Sequence, residues 1–249
     1  MQERRRTVRR LALFNTLLGI RRSRNGDFAL GVVLATIAGA ANAGGFFALG
    51  QYTSHMTGYV STLADNIAVL NGKVVLVSLC AIAAFILGSA TSTAMIHWAR
   101  LRRRRQKFAL PMALQGCLLF GFSWAGYLTS TAGLTFALAL LCFAMGMQNA
   151  TITKISDARI RTTHVTGLVT DIGIELGRAG FGILSPQTGV AADRGKVKTL
   201  LALVLSFLIG GVVGAIGYNN VGFFFSMPLA LVLLGLSVPL LVRHRRSAP

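Results

Sequence analysis

The stretch Phe28–Val60, FALGVVLATIAGAANAGGFFALGQYTSHMTGYV, decides the fold. From Phe28 to Leu49 it carries no charged residue. At about 1.5 Å per residue such a helix crosses a hydrocarbon layer roughly 30 Å thick. A Gly/Thr/Ser/His turn follows, and helical periodicity resumes from Tyr59 to Leu70, a length of about a dozen residues and too short to cross. Backbone polar groups must be satisfied in lipid, so the reading is a spanning helix followed by a re-entrant or interfacial half-helix.

The same arrangement occurs a second time. Gly39-Ala40-Ala41-Asn42-Ala43 followed by Ser54-His55-Met56-Thr57-Gly58-Tyr59-Val60 matches Gly146-Met147-Gln148-Asn149-Ala150 followed by Thr163-His164-Val165-Thr166-Gly167-Leu168-Val169. A second half-helix is expected over Leu168 to Ala179, and Gly44-Gly45, Gly58 and Gly167 are expected to be the breaks. Internal repeats of this kind set the architecture.

Working outward, six segments have spanning length: Phe28 to Leu49, Val74 to Trp98, Phe108 to Tyr127, Ala132 to Ala150, Leu200 to Tyr218 and Val221 to Leu241. Thr129-Ser130-Thr131 and Asn219-Asn220 are expected to turn tight hairpins. The fold class is therefore all-α, a polytopic membrane protein. Three spans separate the two motifs, so the halves are expected to lie upside down relative to one another, as two inverted three-helix repeats over 28–127 and 132–242. The flanks are a basic N-terminal segment, 1–27, and a basic tail, 243–249, both expected on the cytoplasmic side. Leu11 to Ile20 is short and followed by Arg21, Arg22 and Arg24 where a cleavage site would need small residues, so it reads as a basic surface helix and not as a signal peptide.

The chain has 249 residues with 25 Lys+Arg against 7 Asp+Glu, a formal charge of +18. In a soluble protein this would suggest nucleic acid; here the cations cluster between apolar runs, and all but Lys73 fall on one side of a six-span topology. The charge thus orients the protein in the membrane, and anionic lipid head groups are an expected partner. A basic platform for a cytoplasmic partner and a homo-oligomer both stay open. Cys80, Cys117 and Cys142 all lie in apolar runs and give neither a disulfide framework nor metal-ligand spacing. Walker A, HExxH and GxSxG motifs are absent from the sequence, so no enzyme and no cofactor is expected. The set His164, Thr166 and Asp171 is the hydrolase arrangement that spacing alone allows.

The polar residues of the two motifs are the candidate site. Asn42, His55, Thr57, Gly58, Asn149, His164, Thr166 and Gly167 are expected to bind a small polar or anionic solute near the half-helix starts, where free N–H groups point outward. The threonines are equally placed to act as N-caps, the histidines to lock the turns, and the asparagines to bond between helices. Asp171 and Glu175, with Asp65, are candidates for H+ or Na+ coupling, or for neutralisation by Lys73, Lys154, Arg159, Arg161 or Arg178. By offset from the motif glycine the three acids share one helical stripe.

The motifs His55-Met56-Thr57-Gly58, Gly146-Met147-Gln148-Asn149-Ala150 and Arg161-Thr162-Thr163-His164-Val165-Thr166-Gly167 resemble the YoaK-like family of uncharacterised bacterial integral membrane proteins, described as predicted small permeases, over most of the chain. It departs from the family pattern at Asn42 and Gly44-Gly45, where the resemblance implies an acidic residue. The resemblance implies a bacterial inner-membrane protein and brings no substrate. The expected function is a small-solute secondary permease, with a passive channel or a non-transporting scaffold as alternatives.

Overall fold

The computed structural model describes residues 24–102, 107–156 and 162–245. Among these, every regular element is helical: α1 Arg24–Leu49, α2 Met56–Ala68, α3 Gly72–Arg102, α4 Ala109–Phe122, α5 Thr131–Ile155, α6 Val165–Leu184, α7 Arg194–Val221 and α8 Ser226–Arg245, with 3-10 turns at Ala125–Tyr127, Pro186–Thr188 and Gly222–Phe225. Most of the expected basic N-terminal segment, and the end of the expected tail, lie outside the described residues.

Five helical stretches are long and apolar enough to cross a membrane. The last, Arg194–Val242, runs for 49 residues, more than twice what a bilayer needs, and it is broken at Gly222. Gly222 takes φ +60°, which a residue with a side chain resists, and Tyr218 ties the corner by a 2.7 Å hydroxyl bond to Ser226. The turn expected at Asn219-Asn220 is thus displaced: both asparagines stay in α7, and the glycine after them bends the chain. At Ser130 the expected turn is present, the hydroxyl accepting from Gly133 N–H at 3.1 Å.

Packing follows the small residues. A side chain on Gly39 would strike the Phe207 carbonyl, one on Gly210 the Thr36 carbonyl, and one on Gly214 the backbone of Ala40. In the other half, Gly146 meets the Phe85 carbonyl and Gly88 the Phe143 carbonyl. These are the same contacts at equivalent positions: α1 lies against α7 as α5 lies against α3. In each pair the contacts advance together, Thr36 to Ala40 with Gly210 to Gly214, and Gly88 to Ser92 with Phe143 to Thr151, so the paired helices run parallel. Between α1 and α5 the order reverses. Leu34 O accepts from Gln148 Nε2 at 2.7 Å, while Ala38 and Ala41 share a buried cluster with the earlier Met145.

Hydrophobic burial cannot drive assembly against lipid tails, so these backbone approaches and a few buried polar bonds hold the bundle. Ser92 Oγ lies 2.8 Å from Thr151 Oγ1, Ser89 Oγ donates to Gly146 O at 3.0 Å, and Gln115 Nε2 donates to Gln148 Oε1 at 2.6 Å.

Two further expectations are corrected. Gly44 and Gly45 are not breaks: both lie inside α1, filled by the Tyr218 ring and by Thr53. The first short helix has 13 residues, as expected in length though starting earlier, but the second has 20. It continues past Ala179 because Gly182 accepts the returning backbone at Val190, which holds the helix end against the following loop. The third expected span is present as Ala109–Tyr127, made of the 14-residue α4 and the 3-10 turn Ala125–Tyr127.

Replacing Gly210 by Val should destabilise the protein by about 1–3 kcal/mol, the usual cost of overpacking. Replacing Gly173, which has open space around it, by Ala should leave it unchanged or more stable. Thermal unfolding of the detergent-purified variants measures both.

Candidate functional site

Each break between a long helix and the following short one is held by an asparagine. Asn42 Oδ1 on α1 accepts from Thr53 N–H at 3.0 Å, Ser54 N–H at 3.1 Å and Ser54 Oγ at 3.0 Å. On α5, Asn149 Oδ1 accepts from Thr163 Oγ1 at 2.8 Å and its Nδ2 donates to Met145 O at 3.1 Å. A lone carboxamide thus supplies acceptors where the chain leaves the helix and its own carbonyls no longer reach. The two asparagines tie each long helix to its own following turn and not to another helix, and Ser54 and Thr163, which precede the histidines in both copies, are their partners.

The histidines occupy the N-cap positions with nearly equal geometry, φ −94° and ψ 68° for His55, φ −89° and ψ 57° for His164, and neither makes a side-chain capping bond. The expected threonine N-caps are therefore corrected: Thr57 and Thr166 lie inside the first turn and are exposed. Gly58 and Gly167 are not the breaks either. Each sits beneath its own histidine ring, Gly58 under Cδ2 of His55 and Gly167 under Nδ1 of His164, where any side chain would collide. The glycine makes room for the imidazole.

A cavity of about 590 Å³ draws the two turns together. The first contributes Asn42, Ser54 and His55, the second Thr163 and Thr166. Tyr52 and Phe207 add rings, and one face of α6 adds Val165, Val169 and Thr170. Among the expected residues, then, Asn42, His55 and Thr166 meet on one wall. Thr57, Gly58, Asn149, His164 and Gly167 belong to the supporting turns and not to that wall. The serine-type neighbours and Phe207 were not singled out from the sequence, yet Phe85-Ile86-Leu87-Gly88 and Phe207-Leu208-Ile209-Gly210 repeat as the half-helices do, and that spacing is the signal that finds them.

None of the three acids lines this cavity. Asp65 is exposed, and among the described residues no cation pairs with it. Glu175 is 1% exposed and lies 3.3 Å from Lys196 Nζ and 3.4 Å from Arg178 Nη1; Lys196 also reaches Asp171 at 3.7 Å. Glu175 Oε2 accepts the Asp193 N–H at 2.9 Å, and Asp193 caps α7 by accepting from Gly195 and Lys196 N–H. That backbone bond from Asp193, then Lys196 and Arg178, holds the Glu175 carboxyl below the ordinary range; the capping N–H groups, Lys196 first, do the same for Asp193. Arg178 was foreseen as a neutralising partner, whereas Lys196 lies on another helix and has no sequence signal. Among the described residues no hydrogen bond joins His164, Thr166 and Asp171 into the hydrolase set, and no cluster of three metal-ligating side chains occurs.

The family described as protein of unknown function, DUF1275, matches residues 30–239. The UPF0700 transmembrane protein YoaK of Bacillus subtilis (strain 168) is 25% identical over 185 residues, covering 74% of this chain and 80% of that protein. No solved structure matches.

Asn42→Ala should lower stability by about 1–3 kcal/mol, because it leaves the Thr53 and Ser54 N–H groups without their acceptor. Gly58→Ala should displace the His55 ring while the helices remain, seen as a changed histidine NMR signal with retained circular dichroism. Both carboxyl groups have lowered folded pKa values, so the α6–α7 clasp keeps its full contribution above the unfolded range near pH 4 and loses it as pH falls through the folded values. Thermal unfolding from pH 7 to pH 3 should show this loss, reduced in Glu175→Gln.

Proposed function

The chain belongs to the DUF1275 family, defined by sequence and not by an assigned activity, and from that premise we propose that it is a small-solute permease working by alternating access. The observation that carries this reading is the cavity walled by both histidine turns, one from each half. Transporters built from inverted repeats bind between the repeats, at helices broken near the bilayer midplane. The parallel pairing of α1 with α7 and α3 with α5, and the opposed α1 and α5, support six spans in two inverted halves, an even count that puts both termini on one side, the cytoplasmic one by the positive-inside rule. The distribution of basic residues supports the same orientation in an inner membrane.

In this reading Asn42, Ser54, His55, Thr163 and Thr166 contact the solute, and Asn149, Gly58, Gly167 and His164 keep the turns in register. His55 gives the wall its imidazole, a group that can both donate and accept a proton, so H+ coupling passes through it. Asp171 and Glu175, engaged by Lys196, tie α6 to α7 and do not carry the ion; Asp65 has no assigned part. The reading is of transport without catalysis or cofactor.

Single cysteines in place of His55 and His164 should be labelled by membrane-impermeant reagent from the external and cytoplasmic sides respectively; labelling of both from one side removes the inverted arrangement. Proteoliposomes should show saturable, gradient-dependent uptake that His55→Ala uncouples from a pH gradient. Unsaturated conductance would favour a passive channel.

A further inference from the structure

Phe85 and Phe207 are equivalent residues of α3 and α7, each three positions before a glycine buried against a neighbouring helix. Both pack on one buried cluster, Ala38, Ala41 and Met145, where α1 meets α5. Their surroundings nevertheless differ. Phe207 lines the cavity together with Asn42 and His55, and Phe85 does not. Two like, half-buried rings thus sit on one shared cluster, and one of them lines the cavity.

We propose that Phe207 and Phe85 are exchanging floors of the solute site: in the opposite state Phe85 faces a cavity walled by Asn149 and His164, while Phe207 closes the present one. This rests on the alternating-access reading and adds to it the residues of the second wall. The exchange replaces carboxamide by carboxamide, imidazole by imidazole and phenyl by phenyl. The solute must therefore suit the same groups from both sides. A phenyl floor offers a flat apolar face, and the hydroxyl and imidazole groups around it offer hydrogen bonds in both senses, while the carboxamide oxygens are taken by the turns. The chemistry fits an uncharged small molecule with one apolar face and a rim of amide or hydroxyl groups.

The test uses full-length protein in liposomes with Cys80, Cys117 and Cys142 replaced by alanine, carrying Phe207→Cys or Phe85→Cys. N-acetylphenylalaninamide is the uncharged probe, and N-acetylphenylalanine and phenylalaninamide are its anionic and cationic counterparts. Impermeant maleimide should modify the two cysteines from opposite sides. The uncharged probe at ten times its Kd should slow each reaction about tenfold, as occupancy by mass action requires. Modification of both from one side, or of neither, overturns the exchange. Stronger protection by either charged probe, or protection by none of the three, overturns the solute class. Phe207→Leu and Phe85→Leu give a second readout that leaves a large side chain in place: only Phe207→Leu should weaken thermal stabilisation by the uncharged probe, and equal effects count against the exchange. Opposite-side labelling at positions 55 and 164 with same-side labelling at 85 and 207 would leave the permease standing and remove this inference alone.

Discussion

Where a helix ends, its last C=O groups and the N–H groups of the chain that follows lose their helical partners. Here an asparagine answers that need twice. Asn42 takes three donors from the chain after the break, and Asn149 takes the hydroxyl of the equivalent residue. Everything near the cavity depends on this, since the turns that carry His55 and His164 can stay broken only while the carboxamides hold them. Polar bonds inside membrane bundles are modest, about 0.6 kcal/mol on average in measured cases, so several acceptor contacts on one oxygen matter more than any single bond.

The second constraint is closeness. Gly39, Gly88, Gly146 and Gly210 let backbone carbonyls of the facing helix come into direct contact. The same trick serves the turns, where Gly58 and Gly167 seat an imidazole on the first turn of a helix. A glycine in this protein is more often a space than a joint. Only where φ is positive, as at Gly50 and Gly222, does backbone freedom explain it.

The spans were legible because apolar runs of that length have no other economical reading, and the repeat was legible because its polar residues stand out against them. Asn42 and Asn149 stand out as a pair, and His55 and His164 as equivalent, from order and spacing; that each asparagine binds its own following turn does not. The role of the glycines was not legible: a gap and a hinge use the same residue, and only the neighbouring atoms distinguish them. The length of α6 was hidden because Gly180 and Gly182 look like a helix end, while the loop that packs on Gly182 is remote in the string. Lys196 escaped for a similar reason. It meets Asp171 and Glu175 across a turn whose path the sequence does not specify.

The cross-pairing of α1 with α7 and α3 with α5 has a consequence for biogenesis. A ribosome that has delivered only α1 to α4 has placed Gly39 in the membrane with no carbonyl to receive it, and the partner ridge is not yet made. The early chain must wait in a loosely associated form, screened by lipid or by insertion machinery, until the later helices slot between its members. Completion is therefore a late, all-at-once event, and a nascent chain stalled before α7 is a natural substrate for membrane quality control.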